Sequence, residues 1–303
     1  MKLCYVLTVD DAGAYANLTH MSVLSAGLTN PSLPIEIVCD PESYSWLKTE
    51  RHPLVDCLVN FVVVDNPYGR SVAGSRYLKT TLRRHIQGDF LFLDADTLVV
   101  GDLGQMKHCR ASFAAALDRS WHEPFPHTPE LFAILEDRLG WLFDTSRYLN
   151  SGVMFVRDNP EAYALFDEWN TLWQLSLAKG YHFDQIPLNA AAARAKISVK
   201  VLDYRYNGMV HASPYFFIFA KIIHYYASCK IDTRVIDVYL ALAKALRENE
   251  PKSKQTLNEL VKRPYTALRY VEKRRFITHV PVRPIFMAVL AIRRLFVNMR
   301  ERW

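Results

Sequence analysis

The hydrophobic pattern opens with Lys2 to Val9, an alternating, β-rich stretch that predicts a first strand and ends in the polar turn Asp10-Asp11-Ala12-Gly13. Apolar residues at Leu18, Met21, Leu24 and Leu28 then recur at helical spacing within Tyr15–Leu28. Pro31 and Pro34 interrupt the chain before a second strand, Ile35–Cys39, a short helix around Tyr44–Lys48 and a strand near Leu58–Val64. This βαβαβ rhythm predicts an α/β fold with a parallel sheet and helical crossovers. Arg76–Ile86 reads as one basic helix closed by Gly88-Asp89. Phe90–Leu93 is apolar throughout, as a central strand buried on both faces would be. Further strands are expected at Ala111–Leu117, Gly152–Val156 and Lys221–Tyr225, with a long helix over Glu161–Ala178. Glu248–Thr256, polar and containing Pro251, reads as a linker, and there is no internal repeat or low-complexity segment.

Composition narrows the class. The 303 residues are half apolar and 22% charged, which excludes disorder as the main state. The five cysteines, Cys4, Cys39, Cys57, Cys109 and Cys229, show neither zinc-finger nor CxxC spacing, so they read as reduced thiols of a cytoplasmic protein. The N-terminus turns acidic too early for a signal peptide. No apolar run reaches the roughly 18 residues of a spanning helix. Residues 231–303 hold 16 Lys and Arg against 7 Asp and Glu, whereas the preceding 230 hold 21 against 24. The basic end thus calls for an anionic partner.

The most informative stretch is FLFLDADTLVV. On an extended chain residues i and i+2 face the same side, so Asp94 and Asp96 would present two carboxylates at the carboxyl edge of the sheet, where open α/β sheets bind ligands. Paired carboxylates repel, and a divalent cation such as Mg²⁺ or Mn²⁺ keeps both ionised. Two other readings share the pattern. One is a pair of solvated turn aspartates. The other is a haloacid-dehalogenase-like phosphatase with Asp94 as nucleophile, although several βα elements precede the motif here.

Five blocks in order make residues 1–235 resemble the GT-A glycosyltransferases of family 8, which include glycogenins and lipopolysaccharide galactosyl- and glucosyltransferases. They are YVLTVDDAGAY, RYLKTTLRRHI, FLFLDADTLV, YLNSGVMFV, and the pair HFDQIPLN with KIIHYYASCK. The resemblance implies a Rossmann-like, mixed and mostly parallel sheet with flanking helices, and a nucleotide-sugar donor, UDP-linked. It implies a nucleoside seat at Thr8 and Asp10, donor contacts from Lys79, Asp94 and Ala95, and a sugar pocket at Asn150 and Ser151. His224 would be the third metal ligand beside Asp94 and Asp96. Lys230, six residues later, would meet the diphosphate. A nitrogen ligand beside two carboxylates favours Mn²⁺ over Mg²⁺. Asp184 and Gln185 would stand near the anomeric carbon, in a reaction that retains its configuration, although Asp184 also reads as a helix cap. The sequence departs from the family where Ala12 and Gly13 replace an aromatic residue, and around Ala227 and Ser228.

The remainder, 236–303, reads as a basic helical region. In Pro284–Trp303 the residues Ile285, Val289, Ile292, Phe296, Met299 and Trp303 share one helical face, and Arg293, Arg294, Arg300 and Arg302 supply cations. That pattern fits peripheral attachment to an anionic membrane surface, which would suit a lipid-linked acceptor, or else a helix packed on the body. No nucleic-acid module is present. The expected activity is therefore hexose transfer to a carbohydrate or lipid-linked acceptor. A phosphatase and a non-catalytic sugar-nucleotide-binding protein are the alternatives.

Overall fold

We describe the protein from a computed structural model over residues 1–118, 137, 139–141, 147–195, 197, 199–209, 219–225 and 233–264. The expected alternation is realised in β1 (Lys2–Leu7), β2 (Ile35–Cys39) and β3 (Asn60–Val63), which pair in parallel through the crossover helices α1 (Ala14–Thr29) and α2 (Pro41–Thr49). Helix α2 starts three residues earlier than its apolar pattern suggests. Pro41 occupies its first turn and the Asp40 carboxylate accepts from the Ser43 amide at 2.7 Å.

Next come α3 (Val72–Thr80), α4 (Leu82–His85), β4 (Phe90–Leu93), the short β5 (Thr97–Val99), β6 (Phe113–Leu117) and β7 (Leu149–Val156). The chain continues through α5 (Pro160–Ala178), α6 (Gln185–Arg194), β8 (Val199–Leu202), β9 (Gly208–Met209) and β10 (Ile222–His224), then α7 (Thr233–Arg247) and α8 (Ser253–Lys262). The main sheet runs β3-β2-β1-β4-β7-β6-β8. It is mixed and mostly parallel, because β7 lies antiparallel to both β4 and β6.

Period-two alternation sorts the central strands onto two cores. Leu3, Tyr5 and Leu7 of β1, Leu91 and Leu93 of β4, and Val153 and Phe155 of β7 face α1 and α2. Cys4 and Val6, Phe90 and Phe92, and Met154 and Val156 face α3, α5 and α6. Helix α1 is enclosed from two sides. Ala16, Val23 and Ala26 meet the sheet, while Leu18 and Met21 pack with Tyr239, Leu242, Leu257 and Leu260 of α7 and α8. Leu28, expected on the apolar face, is exposed instead.

Several boundaries differ from expectation for local reasons. The basic helix is two helices broken at Thr81, where the Thr80 and Thr81 hydroxyls both donate back to the Tyr77 carbonyl. The linker is shorter than expected, since Ser253–Lys262 is helical and Leu257, Leu260 and Val261 are buried. The division at 235/236 lies within α7. Strands β5 and β8 carried no sequence expectation of their own. No described helix is long and apolar enough to cross a membrane.

Candidate active site

The site forms where β4 ends. The turn after Leu93 is fixed by the Thr97 hydroxyl and amide, which donate to the Asp94 carbonyl at 2.8 and 3.2 Å, and by the Asp94 amide, which donates to the Gly152 carbonyl at 2.8 Å. Strand β10 pairs antiparallel with β5, placing His224 opposite Thr97, and the Tyr225 amide donates to the Asp96 carbonyl at 3.1 Å. That pairing carries His224 across 127 residues of sequence to the carboxylates. One ligand atom each of Asp94, Asp96 and His224 lies within 4.8 Å of the others, and His224 Nε2 is 3.2 Å from Asp96 Oδ1. The imidazole fits because residue 152 is glycine: a Cβ there would come within 2.2 Å of His224 Cε1.

One flank of this cluster is ionic. Lys79, only 2% exposed, extends from α3 and donates to Asp94 Oδ1 at 3.0 Å and to Ser151 Oγ at 3.3 Å, and it pairs with Asp184 Oδ2 at 3.0 Å. Arg76 holds the other Asp184 oxygen at 3.0 Å, and Ser151 Oγ donates to Asp184 as well. Burial raises the Asp184 pKa, but the Arg76 and Lys79 charges more than reverse this and hold it well below the usual carboxylate range. Asp184 occupies the cap position of α6 without capping it, so its side chain belongs to the site. The Trp169 indole anchors its carbonyl at 2.7 Å.

The other flank is built of amides. Gln185 Nε2 donates to Asp118, at the end of β6. Gln185 Oε1 accepts from Asn150 Nδ2 and from the Ser151 amide, both at 3.1 Å. Asn150 Oδ1 accepts from the Gly152 amide and Asn207 Nδ2, both at 2.8 Å, and Asn207 Oδ1 meets His224 Nδ1 at 3.0 Å. Asn189 clips α6 to the start of β7, donating to the Leu149 carbonyl at 3.0 Å and accepting from its amide at 2.7 Å.

The expected residues fall as follows. Asp94, Asp96 and His224 converge, with Lys79, Asn150, Ser151, Asp184 and Gln185 around them. Asn150 and Ser151 lie within β7, which starts three residues before the expected Gly152. Ala95 packs its methyl toward the α1–α7–α8 core. Asp10 accepts from the Tyr15 amide at 3.3 Å, and the Thr8 hydroxyl is buried without a hydrogen-bond partner. Gly13 adopts φ +67° with the Trp46 ring where a side chain would stand, which explains why no aromatic residue occupies that position. Lys230 and the basic segment 284–303 lie outside the described residues. Sequence reasoning missed Arg76, Asp118, Asn207 and Tyr15. Tyr15 is 43% exposed, and its phenol pKa is raised by burial and by the Asp96, Asp10 and Asp94 charges. Arg76 was legible one helical turn before Lys79, and Asp118 at a strand's carboxyl end. Asn207 follows a single turn of 3₁₀ helix and gives no local signal.

This fold, with its polar cluster at the carboxyl edge of the sheet, defines a GT-A glycosyltransferase resembling family 8. The chain belongs to the nucleotide-diphospho-sugar transferase family, whose sequence profile matches residues 37–224. It is similar in structure to the galactosyltransferase LgtC in complex with donor and acceptor sugar analogs, at 16% identity and TM-score 0.57, over 85% of this chain and 100% of that one. It also resembles the WbbM bifunctional glycosyltransferase, at 18% identity and TM-score 0.53, over 74% of this chain and 46% of that one. The glycosyltransferase GlyE of Streptococcus pneumoniae TIGR4 matches at 16% identity and TM-score 0.53, over 88% of this chain and 65% of that one. A search of the curated proteins by sequence finds no match. The protein is thus a glycosyltransferase of the nucleotide-diphospho-sugar type. Neither the phosphatase nor the non-catalytic alternative is favoured.

Proposed function

We propose that the chain moves a hexose from a UDP-sugar to a carbohydrate or lipid-linked acceptor, with retention at the anomeric carbon, at a divalent metal centre of Asp94, Asp96 and His224. The observation that carries this reading is the convergence of the three ligand atoms within 4.8 Å at the end of β4. Two carboxylates and one imidazole suit Mn²⁺, or Mg²⁺ with water completing its shell. The space left by Gly152 for the imidazole fits such a centre. Bound there, the ion would supply Lewis-acid stabilisation of the leaving diphosphate.

The chain's own groups do the rest. Lys79 and Arg76 concentrate positive charge beside the carboxylates, and Lys230 would add a cation at the diphosphate. Asp184 is held as an anion and so serves as no proton donor. With Gln185, Asn150 and Ser151 it would orient the sugar. Thr8 and Asp10, just beyond the end of β1, would seat the nucleoside. Segment 284–303 would hold the protein to an anionic membrane surface on the cytoplasmic side. Its basic, amphipathic sequence supports this, as do the free thiols of Cys4, Cys39, Cys57 and Cys109.

A panel of nucleotide-sugars assayed for UDP release, with Mn²⁺, with Mg²⁺ and with chelator, tests the reading. One UDP-sugar should be turned over only with metal. Undiminished turnover in chelator would overturn the metal centre. Truncation at Pro284 should abolish binding to anionic vesicles and leave activity on a small soluble acceptor intact. Unchanged vesicle binding would remove the membrane assignment.

A further inference from the structure

The amide flank has a direction, and that direction ends on the metal ligand. The Gly152 N–H is a fixed donor, so the Asn150 atom 2.8 Å away is its carbonyl oxygen. The Ser151 N–H likewise requires the Gln185 oxygen at 3.1 Å, which turns Gln185 Nε2 toward the acceptor-only Asp118 carboxylate. Asn150 Oδ1 also contacts Asn207, which must therefore present its Nδ2, at 2.8 Å. Asn207 Oδ1 is then left facing His224 Nδ1 at 3.0 Å, and an oxygen acceptor there demands a proton on Nδ1. In the neutral imidazole the lone pair is then on Nε2, facing the Asp96 carboxylate oxygen 3.2 Å away, a pair of electron donors suited to share a cation. Two backbone amides of β7 thus dictate, through the side-chain amides of Gln185, Asn150 and Asn207, which nitrogen of His224 is a ligand.

We infer that Asn207 is a positioning residue that holds His224 as its Nδ1–H tautomer, with Nε2 presented to the metal. The inference rests on the metal reading proposed above. Asn207 is fully buried, between the 3₁₀ turn Tyr204–Tyr206 and strand β9, and its two amide ends bond two different strands' side chains. A carboxylate at this position would keep the acceptor toward Nδ1 but place a second acceptor against Asn150 Oδ1. An aliphatic residue would release both ends. The same chain ties the proposed sugar pocket at Asn150 and Gln185 to the ligand, so a disturbance of either amide should reach Nε2.

Nitrogen-15 NMR of histidine-labelled, metal-free wild-type protein, at a pH where the imidazoles are neutral, reads the tautomer directly; His224→Gln assigns the resonance. Wild type should show protonated Nδ1 and unprotonated Nε2. A protonated Nε2 there overturns the proposal without any variant. In Asn207→Ala the tautomer should become mixed, and Mn²⁺ affinity by titration should fall about 10- to 100-fold. Asn207→Asp, which keeps the acceptor on Nδ1, should retain the tautomer and recover part of that affinity. Wild-type Mn²⁺ affinity in Asn207→Ala overturns the positioning role. Failure of wild type to bind Mn²⁺, with the expected tautomer present, overturns the metal reading and leaves the hydrogen-bonded chain standing.

Discussion

The two flanks of the Asp94–Asp96 pair solve the same problem in opposite ways. On the α3 side, Arg76 and Lys79 meet Asp184 and Asp94 as full charges. On the β7 side, Asp118, Gln185, Asn150, Asn207 and His224 are joined through neutral amides. Charge attraction falls off slowly with distance, so the ionic flank fixes how much charge sits at the site while tolerating small displacements. Hydrogen bonds between amides are directional, and each fixes which atom the next group must present. The ionic flank therefore governs electrostatics and the amide flank governs geometry.

The largest effect should come from the centre between them. Asp96→Asn preserves shape but removes one charge from the ligand set, and sugar transfer should fall about a hundredfold or more. Near-normal turnover would show that the carboxylate pair is structural. Lys79→Met should then break the ionic flank. It leaves the buried Asp184 and the half-buried Asp94 carboxylate short of a cation, and removing one partner of the buried Lys79–Asp184 pair costs about 3 kcal/mol or more in chemical denaturation. Adding Asp184→Asn should restore part of that loss, because the uncompensated charge goes with it. Simple additivity of the two would mean that Lys79 and Asp184 are not coupled.

Gly152→Ala attacks the amide flank sterically. The new methyl would collide with the His224 ring and, at 3.0 Å, with Asn150 Oδ1. We expect about 2 kcal/mol of destabilisation, the scale of overpacking, together with weaker Mn²⁺ binding. Wild-type metal affinity in this variant would show that His224 has another place to go.

The smallest effect per step separates the site from the fold's own response to acid. His20 and His52 meet edge-on, with ring centroids 5.8 Å apart. Burial lowers His52 to about 3, assisted by His20 and Arg247, and lowers His20 to about 4, assisted by Lys254. Both are neutral in the folded and unfolded chains above pH ~6.5. Below that, only the unfolded chain takes up protons until the folded values are reached. Stability should therefore be full above pH ~6.5 and fall toward pH 4, on the order of 1 kcal/mol per pH unit for each histidine. Urea midpoints that stay flat over this range would contradict the burial of neutral imidazoles. Acid loss of activity steeper than this fall would belong to the site.

Much of this was legible in the sequence. The alternation of β1, the apolar run of β4 and the i,i+2 spacing of Asp94 and Asp96 are local properties, and the folded chain realises them. Lys79 and Ser151 were found through blocks that resemble a family, and the structure sets them 3.3 Å apart, Lys79 Nζ donating to Ser151 Oγ. The Thr80–Thr81 break was hidden because two residues that turn their hydroxyls back on the helix do not alter its apolar spacing. The enclosure of α1 was hidden because the helices that cover its second face come more than 200 residues later.

By itself the sequence determined which segments become strands and helices, and that two carboxylates would stand together at the sheet's edge. Both follow from side-chain periodicity over a few residues. Only the tertiary structure decided that β10 pairs antiparallel with β5, which delivers His224 to those carboxylates, and that Asp118, Asn150, Gln185 and Asn207 form one hydrogen-bonded chain. Those residues are scattered from 118 to 207, and nothing local relates them. Strand register and the close approach permitted by Gly152 bring their amides within bonding distance, and both are set by packing across the whole sheet.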